Sequence, residues 1–513
     1  MKKKLSFFIL WIGAIIVLLA NASTGFCLIF DNQRLIINAT LQQEGKWHAG
    51  RSFIGNGDGY DLTNSRTSLK LETTWRAIDC PDYKLEYRVV LKNFYDAALD
   101  IDKKYNRSMG LYSTSRAKHD LRYYDTFRDI CREAFLNFVT DKYELRIGKQ
   151  ILNWGETGAV RIADIVNPSD LQGLVNQAFL TNFYDVKRGL WMANFLYTPP
   201  NAPMNMIFEF ILVPDFQPDL LPPWGAYPPI GITPPYDFYK RFDQAAIRSR
   251  YSDRPKSWSE PQAGVRMRGY LGGFDWTLFY YYYRISSPIY AGNKGYQNFF
   301  WSLLLDKRVE NAWSYPFMST VGFTLNRPLY FKIPLGVSVL DGNIIRVESV
   351  MDYHRSFNRT VPGAILPTVA NKRLNRYAVA FSWTTKGYIP YITPRNNNNW
   401  LQMTLQIIQN WIEDRKPEDE WGVAGTIKQF FGIPPSRRNS TQLTASFSYD
   451  FFKARVFPAF AVSHNLTTGG GLYTPMLTIT PMNNWKINLS YVNFYKSISK
   501  NTDYITFGIE RNF

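Results

Sequence analysis

Tyr83-Lys84-Leu85-Glu86-Tyr87-Arg88-Val89-Val90-Leu91-Lys92 is the stretch that decides the fold. Tyr83, Leu85, Tyr87, Val89 and Leu91 are apolar, and four of the five residues alternating with them carry a charge. A period of two puts the first set on one face of a strand and the second on the other. Four charges on one face resist burial against a second sheet, so a wet interior fits the pattern better than a sandwich core. Residues 443–451 and 485–495 repeat the alternation, and 503–513 closes the chain with Ile505, Phe507, Ile509, Arg511 and Phe513 on one side. These runs predict an all-β, transmembrane antiparallel barrel whose apolar face meets lipid.

The two ends give an address. Thr506, Gly508 and the terminal Phe513 resemble the signal read by the barrel-assembly machinery of the bacterial outer membrane. Arg511 stands where an apolar residue is usual, and a long side chain near an interface can snorkel. At the other end Lys2, Lys3 and Lys4 precede an apolar run and the triplet Ala20-Asn21-Ala22, which predicts a signal peptide over 1–22 and export through the Sec route. An uncleaved anchor is the alternative reading of that run. The remaining 23–513 reads as one barrel domain, since no later stretch offers the ~20 apolar residues of a spanning helix. Cys27, Cys80 and Cys131 are too few for a disulfide framework, and no bridge is expected.

Composition agrees. Aromatics make up 16% and mean hydropathy is −0.26, as in a wall that alternates lipid-facing and lumen-facing side chains between two aromatic rims. A large secreted sandwich or propeller is the competing reading. The net charge of +17 is spread along the chain without a basic cluster interleaved with aromatics, so it does not point to nucleic acid. It points to an anion-favouring lumen or to loops that meet lipopolysaccharide and outer-membrane lipid.

Turn signals at 140–142, Gly272-Gly273 and Asp341-Gly342 punctuate segments such as 69–76, 143–150, 189–197, 274–283, 318–325, 332–340, 344–353 and 401–411. The count is about sixteen strands, with 14–18 allowed by boundary error. It contains a conflict of sides: Gly272-Gly273 and Asp341-Gly342 cannot both be turns of one rim unless a strand is added or removed between 283 and 332. Long connections are expected at 96–129, 214–261, 286–315, 355–373 and 412–440, most of them extracellular. The second is dense in proline and aromatics from Pro214 to Tyr236 and would either narrow the barrel or form a rigid surface loop.

One segment does not read as wall. Gly148, Lys149 and Gln150 end a strand; Trp154, Gly155 and Glu156 follow, then Arg161, Asp164 and Asn167-Pro168-Ser169-Asp170. Asn167 looks like an N-cap and Pro168 like a first helical residue, so a short helix or loop folded into the lumen is expected here. Glu156, Arg161, Asp164 and Lys149 would then be charged groups at a constriction. The plainer reading makes Trp154 a girdle residue, Gly155 a turn and Glu156 a partner of Lys149 or Arg161.

This stretch resembles the signature of a Gram-negative outer-membrane family designated domain of unknown function 1302, in which Gly-(Arg/Lys)-Gln, Trp-Gly-Glu and Asn-Pro-x-Asp follow one another. Here those positions are Gly148, Lys149, Gln150, Trp154, Gly155, Glu156, Asn167, Pro168 and Asp170. The resemblance implies a porin-like channel for a small solute. Because members are described beside periplasmic lipid carriers and resistance-nodulation-division permeases, it also implies a periplasmic transport partner and an apolar or amphipathic solute. An adhesin or structural barrel is the alternative. Nothing in the sequence calls for a cofactor or an enzyme: the four histidines are isolated, without metal-ligand spacing, and His119-Asp120 and Ser463-His464 point to opposite faces of a strand. Gly55 to Asp61 reads as a turn in preference to a calcium loop.

Overall fold

The computed structural model describes residues 28–30, 34–48, 62–101, 122–124, 126–157, 160–170, 186–219, 258, 260–287, 289–290, 313–329, 333–335, 338–360, 368–386, 400–414, 420–422, 439–452, 455–496 and 503–513. The expected signal peptide at 1–22, the turn at 55–61, His119 and the proline-rich 222–236 lie outside them.

Eighteen strands make the wall. They are β1 (Leu35–His48), β2 (Leu62–Asp79), β3 (Tyr83–Asp96), β4 (Cys131–Thr140), β5 (Tyr143–Gln150) and β6 (Leu190–Tyr197); β7 (Ile207–Val213), β8 (Gln262–Leu271), β9 (Phe274–Arg284), β10 (Phe317–Leu329), β11 (Ser338–Thr360) and β12 (Thr368–Lys386); and β13 (Trp400–Ile412), β14 (Asn439–Tyr449), β15 (Val456–Asn465), β16 (Gly471–Ile479), β17 (Trp485–Tyr495) and β18 (Tyr504–Asn512). Each pairs antiparallel with the next. β18 returns to β1, with Thr40 opposite Asn512 and His48 opposite Tyr504, so the sheet closes on itself. Phe513 N donates to Ala39 O at 2.8 Å, and beyond it residues 28–30 continue along the freed edge of β1.

The count stands at the top of the expected range, and two segments fall differently from the sequence reading, one gained by the wall and one lost from it. β1 was not visible because its outward row Leu35, Ile37, Ala39 and Leu41 continues through Gln43 and Gly45, which interrupts the apolar pattern. The stretch 332–340 is not a wall strand: Ile333–Leu335 folds back on Ser338–Leu340, and Asp341 lies inside β11, opposite Thr384. Removing that turn dissolves the conflict of sides. The connections at 80–82, 141–142, 198–206, 272–273, 330–337 and 480–484 now share one rim, and the long ones at 97–130, 151–189, 214–261, 285–316 and 413–438 share the other. The expected long loop at 355–373 is mostly strand, since β11 runs to Thr360 and β12 starts at Thr368.

β9 shows which face is which. Leu278, Tyr280 and Tyr282 are 43–45% exposed, whereas Phe279, Tyr281 and Tyr283 between them are at most 8% exposed. The exposed row continues around the outside through Val265, Val321, Phe323, Ile407, Phe447, Leu489 and Phe507. Aromatics gather at both rims, with Trp75 stacked on Tyr87 at 5.4 Å near the short turns and Tyr282 on Phe317 at 4.8 Å near the long connections. The Arg511 guanidinium lies over the rings of Trp485 and Phe513, 4.9 and 4.7 Å from their centroids, which accounts for a charge in that outward row. Cys80 and Cys131 are both free.

The buried row of β9 is closely fitted from within the wall. Gly322 of β10 sits opposite Phe279, and a Cβ added there would fall 1.9 Å from the ring. Gly322→Ala should therefore displace Phe279 and lower stability by about 1–3 kcal/mol, the usual penalty of overpacking. Thermal unfolding followed by gel mobility checks this; an unchanged midpoint would refute the fit.

Candidate functional site

The chain between β5 and β6 does not stay at the rim. From Ile151 it turns back across the inside, and Trp154 comes to rest fully buried against the inward row of β9, its ring 5.3 Å from Phe279 and 5.7 Å from Tyr281. Leu152, Ile162, Ala163 and Val166 extend the same dry contact onto inward residues of the wall, including Met192, Ile211, Met318, Val350, Ala378 and Ile408. The segment 151–170 is thus a strap with an apolar underside. Trp154 is a lumen residue, not a girdle residue.

Polar groups of the far wall hold the strap's main chain. Glu348 of β11 is wholly buried and accepts three backbone N–H groups, from Glu156 at 2.5 Å, Thr157 at 2.6 Å and Ala163 at 3.0 Å. Gln406 of β13 both accepts from Val160 N at 3.0 Å and donates to Val160 O at 2.6 Å. Arg376 of β12 donates to Ile162 O at 3.0 Å while it is paired with Asp352 at 2.9 Å. None of these anchors was singled out from the sequence. Their only signal is that Arg346, Glu348, Val350 and Asp352 share the inward row of β11; what Glu348 meets lies about 190 positions away.

The residues of the sequence motif divide into anchors and lumen groups. Gly148 has φ +136°, and a Cβ on it would stand 2.3 Å from Ala134 O, so only glycine lets β4 and β5 approach here. Lys149 is buried and donates to Cys131 O at 2.6 Å and to Arg128 O. Gln150 donates to Met192 O at 3.1 Å. Gly155 turns the strap where a Cβ would meet that of Arg161 at 2.7 Å. Asp164 is buried, 3.5 Å from Lys187 Nζ.

The expected helix start at Asn167-Pro168 is absent. Asn167 instead accepts from Leu152 N at 2.8 Å and donates to Gln150 O and Arg188 O, tying the two ends of the connection together. Ser169 forms an antiparallel bridge with Lys187, Pro168 O accepts from Arg188 N, and Asp170 N donates to Val186 O. The Tyr124 hydroxyl donates to Asp170; burial, reinforced by that carboxylate, pushes the phenol well above its ordinary range.

Glu156 and Arg161 remain open to the lumen, Glu156 exposed and Arg161 half-buried with its Nε on Thr157 O at 3.2 Å. Glu156 lies within electrostatic reach of Arg266 and Arg346. Below the strap, on the short-turn side, the inner wall of β2 to β8 carries a ladder of ion pairs: Arg88 with Glu133 at 3.3 Å, Arg146 with Glu144 at 2.5 Å and Arg266 with Glu209 at 2.5 Å. The inward row of β13 to β18 is poorer in charge, with Thr404, Gln406, Thr444, Ser446, Ser463 and Thr506 along it and one ion pair among the described residues, Lys486 with Glu510 at 3.1 Å.

The arrangement is that of a closed antiparallel barrel, polar inside, with a strap docked across its interior. The chain belongs to the family described as "Protein of unknown function (DUF1302)", whose model matches residues 42–513, as the motif from Gly148 to Asp170 implied. No curated protein matches it. Among solved structures it is similar to OccAB3 of Acinetobacter baumannii, with 9% identity over 93% of this chain and 99% of that one and a TM-score of 0.47. It is similar also to a BenF-like porin of Pseudomonas fluorescens Pf-5, with 9% identity, 95% and 100% coverage and a TM-score of 0.47. The outer membrane protein OpdK of Pseudomonas aeruginosa gives 8% identity, 93% and 98% coverage and a TM-score of 0.47.

Glu348→Ala should release the strap without opening the wall. It leaves three main-chain donors without their acceptor, each at a cost of about 1–3 kcal/mol if they stay dry, so the strap should detach locally. Hydrogen exchange across 153–166 should quicken at least tenfold while β13 to β18 keep their protection; unchanged exchange would sink the latch.

Proposed function

We propose that the protein is a channel of the bacterial outer membrane that passes a small solute, with the strap narrowing its lumen. The observation that carries this reading is the closed eighteen-stranded wall with its apolar row turned outward and its charged and hydroxyl rows turned inward. Such an exterior is unfavourable in water and suited to lipid, and barrels of sixteen to eighteen strands are wide enough to hold an aqueous passage. Strands of about ten residues tilted by about 45° match a band of about 25 Å, and short turns at one rim with long connections at the other follow the periplasmic and extracellular pattern.

In this reading Glu156 and Arg161, carried on the strap, are the constriction groups, and Arg346 of the facing wall completes the narrow point. Lys149 and Asp164 serve it indirectly by fixing the roots of the strap. The wall opposite the ion-pair ladder offers mostly hydroxyl and amide groups, along which a hydrated solute can exchange hydrogen bonds, and its Lys486 and Glu510 are paired with each other.

Purified protein in a planar bilayer should give discrete conductance steps. Glu156→Gln should raise the preference for chloride over potassium about two- to threefold, since it removes the carboxylate among several guanidiniums and leaves the strap's backbone contacts with Glu348 in place. A reversal potential in a salt gradient reads the change. A silent bilayer with folded protein would instead favour the surface-binding alternative.

A further inference from the structure

The strap roofs a cavity of about 440 Å³ between Gln150–Asn153 and the inner wall of β3 to β8, within the size range of small-ligand sites. Its charges are arranged unevenly. Arg88, Arg146 and Arg266 each meet a glutamate of the wall and the lining residue Glu86 meets Arg76 at 3.8 Å, but Arg268, exposed on β8, has no carboxylate within 4 Å among the described residues. The cavity therefore offers one uncommitted cation.

Around that cation the lining is rich in acceptors. Glu144 and Glu209 meet their arginines through one carboxylate oxygen each, which leaves the second oxygen for another donor. Asn137, Asn194 and Gln150 carry amide oxygens that no donor reaches among the described residues, and the last two side chains are 1% exposed. The Gln150 amide nitrogen is already committed to Met192 O and Arg146 O, so its oxygen cannot exchange places with it. Those three oxygens are closed off from the cavity, so the acceptors a guest meets directly are the free oxygens of Glu144 and Glu209.

We infer that this cavity is a solute station for small amphoteric molecules, in which one anionic group pairs with Arg268 and N–H or O–H donors on the same skeleton meet the free oxygens of Glu144 and Glu209. A plain dianion does not fit, because it would set its second charge against Glu144 and Glu209. A neutral donor-rich molecule leaves Arg268 unanswered. The inference deepens the channel reading and rests on it for the route by which the solute arrives; the binding itself requires only the folded barrel.

The test uses the full-length protein in detergent and isothermal titration with three five-carbon probes. Glutamine carries a carboxylate together with ammonium and amide donors, glutaramide has donors without charge, and glutarate has two carboxylates without donors. Glutamine should bind at least tenfold more tightly than either of the others. Arg268→Gln should reduce it to the level of glutaramide, Arg268→Lys should retain most of its binding, and both variants should keep the gel mobility of the folded barrel. Glutarate binding as tightly as glutamine, heat from none of the probes, which would leave water as the only guest, or indifference of glutamine to Arg268→Gln would each overturn the station. Conductance measured on the same preparation separates the two claims. Steps without glutamine binding overturn the station alone, and binding without steps overturns the channel alone.

Discussion

The structure depends on one constraint: the main chain of every wall strand must give its hydrogen bonds sideways to two neighbours, and the row of neighbours must return to its start. Pairing along Thr40–Asn512 satisfies the second condition. Once no edge is left over, a side chain has two directions only, into the lumen or out of it. That binary choice explains why Lys84, Glu86 and Arg88 stand inside while Tyr83, Leu85 and Tyr87 stand outside, and why a single misplaced residue would invert a whole strand. It also fixes the alternation of rims, so that five long connections gather at one end without any signal of their own.

Against this wall the strap is an intruder that has to be held. Its most visible contacts are three N–H groups on the Glu348 carboxylate. A hydrogen bond to a charged group is worth about 1.5–3 kcal/mol, and ordering one residue's backbone costs about 1–2 kcal/mol, so three such bonds offset the ordering of only a few residues. The rest has to come from the dry underside, where Trp154 is fully buried and Leu152, Ile162, Ala163 and Val166 follow it. The two contributions have different jobs. Apolar burial favours any docking on the aromatic row of β9, while Glu348, Gln406 and Arg376 select one register, because each recognises particular main-chain atoms of the strap.

How much of this was readable in the chain follows from how local each cause is. β3 and β18 were legible because their alternation is strict over ten residues, and the family motif was legible in part because its glycines have local conformational reasons, as the +136° φ of Gly148 shows. β9 declared itself a strand but not its inner face, since aromatics occupy both rows; only the strap decides which row is dry. β1 was lost to Gln43 and Gly45. Asn167-Pro168 carried a sound local signal for a helix start and was overruled by distance: the same amide that could cap a helix satisfies Leu152 N, Gln150 O and Arg188 O at once. Glu348 illustrates the limit of such reading, because an inward glutamate on β11 has no meaning until the strap, about 190 residues earlier, is laid against it.

The total charge of +17 is a poor guide to what the lumen presents to a solute. Along β2 to β8 each of Arg88, Arg146 and Arg266 is answered by a glutamate on its own or a neighbouring strand, so their fields cancel within a few ångströms. Along β13 to β18 the lining is mostly uncharged, and Lys486 there is answered by Glu510 at 3.1 Å. What survives is local: Arg268 beside the ladder, Arg346 bonded only to the Ser382 hydroxyl among the described residues, and Glu156 on the strap within reach of both walls. In a wet lumen at physiological salt, charges more than ~8 Å apart are largely screened from one another, so these few groups at the strap outweigh dozens of distant lysines and arginines. If the barrel conducts as proposed, its selectivity follows from where the strap holds its charges, and therefore from the apolar contacts of Trp154 and the buried Glu348 carboxylate that keep the strap in place.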